Sequence, residues 1–220
     1  MASNNSDLWI DCRRNNIILE TGLVMPRKGA VRKLIRRSMM TSAGRTADIA
    51  RSPDRAVLHQ AVFPEVAARG GNILFVGTQA YTQEYPALLE SGGGTCWTID
   101  YDPAAARYGA PQRHIVGSIV DIGRHFPDIR FKTIVLAGVL GFGVNRQSEQ
   151  VAALKACAQA LEPNGFLILG WNDRRVPGVV LEEAASCWFD YRNFGDLPSR
   201  LWVKGCDQNF AFFRRSADRG

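Results

Sequence analysis

A chain of 220 residues with 46% hydrophobic content is long enough to bury one substantial core and too short for two full catalytic domains. The net charge of +6 is unevenly held: residues 1–69 carry 12 Lys+Arg against 6 Asp+Glu, whereas the remainder carries 15 of each. Basicity therefore describes an N-terminal arm, and the balanced remainder lacks the electrostatic footprint of a nucleic-acid-binding domain.

Five cysteines, Cys12, Cys96, Cys157, Cys187 and Cys206, form no close pair and leave an odd count. That pattern argues against a zinc site or a disulfide framework and suits reduced thiols in the cytoplasm. No stretch reaches the roughly 18 apolar residues of a membrane span, and MASNNSDLW lacks the layout of a signal peptide.

From Ala30 to Met40 the spacing of Val31, Leu34, Ile35 and Met39 predicts a short helix whose other face holds Arg32, Lys33, Arg36 and Arg37. Thr41 to Arg51 is polar and aperiodic, so residues 1–51 read as a basic helical arm or lid and residues 52–220 as the domain. Ser52-Pro53-Asp54 starts a helix with Val57, Leu58, Ala61, Val62 and Val66 on its buried face, ending at Gly70-Gly71 and kinked at Pro64.

Ile73 to Val76 is a continuous apolar run, the signature of a strand buried on both faces, and Gly77 ends it. Thr82 is expected to cap a following helix carrying Tyr85, Leu88 and Leu89. Thr95 to Ile99 is a second strand ending in Asp100, 23 residues after Gly77. This is close to the distance at which an acidic residue of a nucleotide-binding βαβ unit meets ribose hydroxyls. His114 to Val116 is a third strand leading to Gly117-Ser118-Ile119, and Phe131 to Ala137 is a fourth, opening into a loop with Gly138, Gly141 and Gly143. A helix from Ser148 to Leu161 stops at Pro163-Asn164-Gly165, before a fifth strand, Phe166 to Leu169, which ends in Gly170-Trp171-Asn172-Asp173. Beyond Pro177 come a short helix to Ala185 and two strands, Cys187 to Tyr191 and Asn209 to Arg214, whose alternation fits an antiparallel edge hairpin. The expected architecture is α/β, doubly wound, with a seven-stranded, mostly parallel sheet, an antiparallel edge hairpin and the N-terminal arm.

In this order, Gly77, the acidic strand end at Asp100, the Gly117-Ser118-Ile119 turn, Gly138 and Leu161-Glu162-Pro163-Asn164-Gly165 resemble the class I S-adenosylmethionine (SAM)-dependent methyltransferases over roughly residues 55–214. VGTQAYTQEYPALL, TIDYDP, GVLGFGV and GWND are similar to a bacterial subgroup of methyltransferase domains without assigned substrates. The resemblance implies a Rossmann-like fold and SAM as cofactor, with Gly77, Thr78 and Gln79 against its methionine moiety. Asp100 would hold the ribose, Tyr101 would pack on adenine beside Ser118 and Ile119, and Gly138 with Val139 would line the sulfonium end. Two positions depart from the family pattern: Gln79 and Tyr81 stand where small residues are usual, and Ser118 stands where an aspartate is common, with Asp121 just beyond. Tyr81 can offer a sulfonium a cation–π face.

For the acceptor, Phe142, Trp171, Asn172 and Asp173 are the candidate contacts, with Asp173 as proton acceptor, Asn172 as orienter and Tyr81 beside the reacting centre. Absence of an Asn/Asp-Pro-Pro-Tyr motif and of a His/Asp metal cluster disfavours DNA amine methylation and metal-assisted catechol methylation; His59, His114 and His125 read as structural. The leading expectation is methyl transfer to a small molecule, plausibly in secondary metabolism, by a protein for which a homodimer is one candidate assembly. The alternatives are cyclisation or elimination of SAM itself, and a non-catalytic binding protein with the same fold. A nicotinamide-binding domain is weaker, because no Gly-x-Gly-x-x-Gly follows the first strand.

Overall fold

The computed structural model describes residues 8–10, as backbone, and residues 49, 51–204 and 206–216. The basic helix expected at Ala30–Met40, most of the polar linker after it and Cys12 lie outside the described residues.

After the edge strand β1 (Leu8–Ile10), Ser52 leads into a helical stretch formed by α1 (Pro53–Val57), a π-helical turn (Leu58–Val62) and α2 (Phe63–Arg69). The irregularity precedes Pro64, whose missing N–H removes one bond from a helical stretch that is otherwise continuous. β2 (Asn72–Val76), α3 (Tyr85–Glu90), β3 (Thr95–Asp100), β4 (His114–Val116), α4 (Ile122–His125) and β5 (Phe131–Ala137) follow. Then come α5 (Gln147–Ala160), β6 (Leu161–Asn172), α6 (Gly178–Ala185), β7 (Phe189–Tyr191), β8 (Arg200–Val203) and β9 (Gln208–Arg215).

The strands form one nine-stranded sheet in the order β1-β8-β9-β6-β5-β2-β3-β4, with β7 also on β9. Every pairing is parallel except the three that involve β9. The expected α/β sheet is present, with two corrections: β1 and β8 raise the strand count from seven to nine, and β9 lies inside the sheet between β6 and the β7/β8 pair. β8, Arg200-Leu201-Trp202-Val203, was not read from the sequence. β9 is buried along Gln208 to Phe213, as an interior strand must be.

Alternation along β2 explains why its apolar run is continuous. Ile73 and Phe75 face α1, α2 and α3 together with Val135, Ile168, Phe210 and Phe212. Leu74 and Val76 face α4, α5 and α6 together with Ile134, Leu136, Leu167 and Leu169. Burying a side chain of this size contributes about 1.5–3 kcal/mol. The first crevice is fixed by an aromatic group in which Tyr85 packs edge-on to Phe63 at 4.9 Å and Phe75 at 5.2 Å, joining α2, β2 and α3. Tyr85 and Leu89 form the buried face of α3, whereas Leu88 is exposed.

Candidate active site

β2 and β3 lie side by side and in parallel, so Gly77 and Asp100 leave the sheet together at its carboxyl edge. Gly77 has φ +86°, a left-handed conformation that glycine adopts freely, and a Cβ there would stand 2.9 Å from Val139 Cγ2. Gly138, at the end of β5, has φ +75°, the same left-handed region, and a Cβ there would stand 3.4 Å from Arg55 Nη2, an ordinary contact distance. The two glycines thus keep backbone, rather than side chain, at the floor of a cavity of about 410 Å³.

Asp100 is buried and organises the rim. Its Oδ2 accepts from the Thr78 N–H at 2.7 Å and its Oδ1 from the Asp102 N–H at 2.9 Å. A carboxylate has about four lone-pair sites, so two acceptor positions remain for a ligand in the cavity that it lines. The expected helix cap at Thr82 is not what forms. Thr82 closes a 3₁₀ turn, Ala80–Thr82, in which its Oγ1 accepts from the Gln79 N–H at 2.9 Å and donates to the Gln79 carbonyl at 3.0 Å. α3 begins after it.

Of the residues expected at the cofactor, Gly77, Gln79, Tyr81, Asp100, Tyr101, Ser118, Ile119, Gly138 and Val139 line the cavity. Thr78 does not: it is buried, with Oγ1 donating to the Ala105 carbonyl at 3.1 Å, and it serves to tie the loop to β3. Ser118 caps the turn Ile119–Asp121 by accepting from the Val120 N–H at 3.2 Å, and Asp121 is not among the lining residues. Tyr101 is 66% exposed, leaning over Gly143, and Phe142 is 51% exposed, with the Arg175 guanidinium 5.0 Å from its ring centroid. Two aromatic rings left open to solvent at the mouth of a cavity form a surface on which a planar base can stack.

Arg55 is the residue the sequence reading missed. It lines the cavity although its residue is only 8% exposed, pairs with Asp54 at 3.4 Å and covers the Tyr81 ring at 4.9 Å. Tyr81 therefore engages a cation of the protein itself. A signal existed: Arg55 precedes Leu58, Val62 and Val66 at spacings of three, seven and eleven, placing a charge on the helix's apolar stripe.

The acceptor assignment is redrawn. Phe142 lies at the cavity, but Trp171, Asn172 and Asp173 do not line it. Trp171 is 1% exposed and donates Nε1–H to Asp173 Oδ1 at 2.8 Å, while Asn209 donates to Asp173 Oδ2 at 2.6 Å. Asn172 Oδ1 accepts from the Arg174 N–H at 3.1 Å. These three residues close the β6 end by local hydrogen bonds because Trp171 points to the α5/α6 face of the sheet, opposite to Arg55.

Among the histidines, His114 Nδ1 is 2.9 Å from Thr98 Oγ1, and burial lowers its pKa from 6.5, with Asp100 acting weakly in the opposite sense. His59 is lowered chiefly by burial and stacks edge-on to Tyr85 at 4.9 Å. Neither lines the cavity.

No protein-family model and no curated protein matches the chain. Solved structures do. The N-methyltransferase NodS from Bradyrhizobium japonicum WM9, in complex with S-adenosyl-L-homocysteine (SAH), superposes with a TM-score of 0.58 at 19% identity, over 83% of this chain and 97% of NodS. A TehB-like SAM-dependent methyltransferase from Corynebacterium glutamicum matches with a TM-score of 0.54 at 24% identity, over 80% of this chain and all of that one. The Methanococcus jannaschii fibrillarin pre-rRNA processing protein matches at 0.51 and 14% identity, over 68% of each chain. With β2 and β3 adjacent and parallel, a crevice at their carboxyl ends and a reversed β9 inserted beside β6, the chain has the fold of the class I SAM-dependent methyltransferases.

Proposed function

We propose that this protein is a methyltransferase that binds SAM in the cavity above Gly77 and Gly138 and methylates a small-molecule acceptor. The observation that carries the reading is the convergence of one buried carboxylate, Asp100, and one buried guanidinium, Arg55, on a glycine-floored cavity with exposed rings at its mouth. These groups fit the parts of SAM: the carboxylate suits vicinal ribose hydroxyls, the guanidinium a methionine carboxylate, and Tyr101 with Phe142 the adenine. The SAH complex of NodS, a protein of the same fold, supports this cofactor.

When bound, SAM supplies an electrophilic methyl group on a sulfonium. The protein's part is positioning: Asp100 and Arg55 fix the two ends of the ligand, and Gly77 and Gly138 let it lie against the backbone. Such alignment can be worth about 7–11 kcal/mol of barrier. A small acceptor is favoured over nucleic acid because residues 70–220 carry no net charge and the cavity has the size of a small-molecule site. We extend this to a cytoplasmic enzyme of secondary metabolism, with residues 1–51 as a lid. Ile49, three residues before Ser52, lines the cavity, which supports the lid. Trp171 no longer favours cyclisation or elimination of SAM, since it packs away from the cavity.

Calorimetry with SAH tests the reading directly. Binding with one site per chain is expected, and product mass spectrometry with a metabolite extract should reveal a mass gain of one methyl. Absence of heat with SAH at millimolar concentration would end it.

A further inference from the structure

Gln208 opens β9, and its side chain folds over Gly170, with Nε2 standing 2.9 Å from where a Cβ on that glycine would be. The residue is 8% exposed, and Nε2 has no hydrogen-bond partner among the described residues. A buried donor left unmade costs about 1–3 kcal/mol, so such groups are rare unless a ligand or water completes them.

Its location gives the buried amide a use. The Gly138 N–H donates to the Gly170 carbonyl at 3.2 Å, and a Cβ on Gly170 would stand 3.0 Å from that of Ala137. Ala137 and Gly138 line the cavity whereas Gly170 and Gln208 do not, so the Gln208 amide stands behind that wall, two residues before Phe210, which packs in one cluster with Ala137. With Arg55 assigned to one end of the cofactor, the Gln208 amide is left for the other reactant. A primary amide N–H donates, so its partner must be an oxygen acceptor. Neighbouring Cys206 is no competitor: burial raises its thiol to about 11, which keeps it neutral.

We propose that the acceptor subsite continues from Gly138 over Gly170, and that Gln208 binds a methyl acceptor carrying a carbonyl or carboxylate oxygen. The assignment rests on the SAM reading of the cavity and adds the class of acceptor to it.

The test uses the full chain saturated with SAH and three probes of one shape: benzoate, benzamide and benzylamine. Calorimetry should show benzoate or benzamide binding and benzylamine not binding. In Gln208→Met, which keeps length and removes the donor, the bound probe should weaken by about tenfold or more. SAH affinity should stay unchanged, and thermal stability should hold or rise because an unpartnered polar group is gone. Gln208→Glu, which keeps the shape but repels benzoate, should abolish benzoate binding as well. A clear drop in the melting temperature of both variants would assign Gln208 to the fold and overturn the proposal, as would equal probe binding in wild type and both variants. SAH bound with neither oxygen probe bound would overturn this proposal alone, whereas failure to bind SAH would remove the cofactor reading beneath it.

Discussion

Arg55→Met removes the cavity's buried cation while keeping a long apolar stem beneath Tyr81, and it separates two parts of the cofactor contact. A hydrogen bond to a charged group contributes about 1.5–3 kcal/mol, which corresponds to roughly 10- to 150-fold in affinity. Little of this is lost to solvent screening, because the Arg55 side chain is only 9% exposed. The substitution also strands Asp54, whose side chain is 12% exposed, so some loss of stability is expected on its own account. For that reason the assay compares two ligands on one protein. SAH carries the amino-acid tail, and 5′-methylthioadenosine lacks it while keeping the nucleoside. Calorimetry should show SAH weakened by roughly 10- to 150-fold with methylthioadenosine unchanged. The ratio of the two affinities cancels any change in the folded fraction. Equal weakening of both ligands, or none of either, would refute the placement of the carboxylate at Arg55.

Asp100→Asn should weaken SAH and methylthioadenosine alike, by at least about tenfold, because both share the ribose; it should also lower the melting temperature, since Thr78 and Asp102 donate to the same carboxylate. Unchanged affinity by calorimetry would show that the ribose lies elsewhere. Gly77→Ala and Gly93→Ala form a matched pair, with φ +86° and +84°: the second meets nothing within 4 Å, whereas the first meets Val139. Both should lose about 1–2 kcal/mol in urea unfolding from backbone strain, and only Gly77→Ala should lose more and bind SAH poorly; identical behaviour would show that the cavity floor is not at Gly77. His114 is held below 6.5 in the native state, so as pH falls through that value the unfolded chain takes up the proton first. Urea midpoints should therefore decline from pH about 6.5 towards 5, and less steeply in His114→Asn; the same slope in both proteins would assign the effect elsewhere, His59 being the next candidate.

The parallel half of the sheet was legible because burial on both faces leaves a continuous apolar run, and Ile73–Val76 and Phe131–Ala137 each show one. Asp100 was legible for a related reason: strand-end position and the 23-residue spacing from Gly77 follow from the geometry of one βαβ unit. Near the carboxyl terminus the antiparallel pairing of β7 with β9 was legible, but the place of β9 inside the sheet was not. A hairpin read from alternation alone cannot distinguish an edge from an interior strand, and β8, which alternates over only four residues, was not read at all. Trp171 and Asp173 misled because sequence places both at a strand end without saying which face each takes. The odd residues of β6 there turn toward α5 and α6, and Asp173 is consumed by Trp171 and Asn209. Gln208 was missed because only the sheet brings it to Gly170, whereas Arg55 carried a signal, a charge on its helix's apolar stripe, that went unread.

The loop after β2 shapes the cavity without being rich in glycine. A glycine-rich loop leaves room by having few side chains. Here Gln79 and Tyr81 occupy that loop, and space is kept by conformation instead. The Gln79–Thr82 turn closes on itself through two hydrogen bonds, Thr78 is pulled beneath the loop by Asp100 and Ala105, and the Tyr81 ring is held against Arg55. One carboxylate thereby does two jobs. By accepting from Thr78 and Asp102, Asp100 fixes the loops on either side of the crevice before any ligand arrives, and its remaining lone pairs then face a cavity already shaped. Preorganisation of this kind lowers the ordering cost of binding. It follows that loop and ligand should be energetically coupled: Thr82→Val, which removes the turn's hydroxyl but keeps its shape, should weaken SAH without touching it. Unaltered binding in that variant, with the fold intact by circular dichroism, would mean that the turn is shaped by packing rather than by its hydrogen bonds.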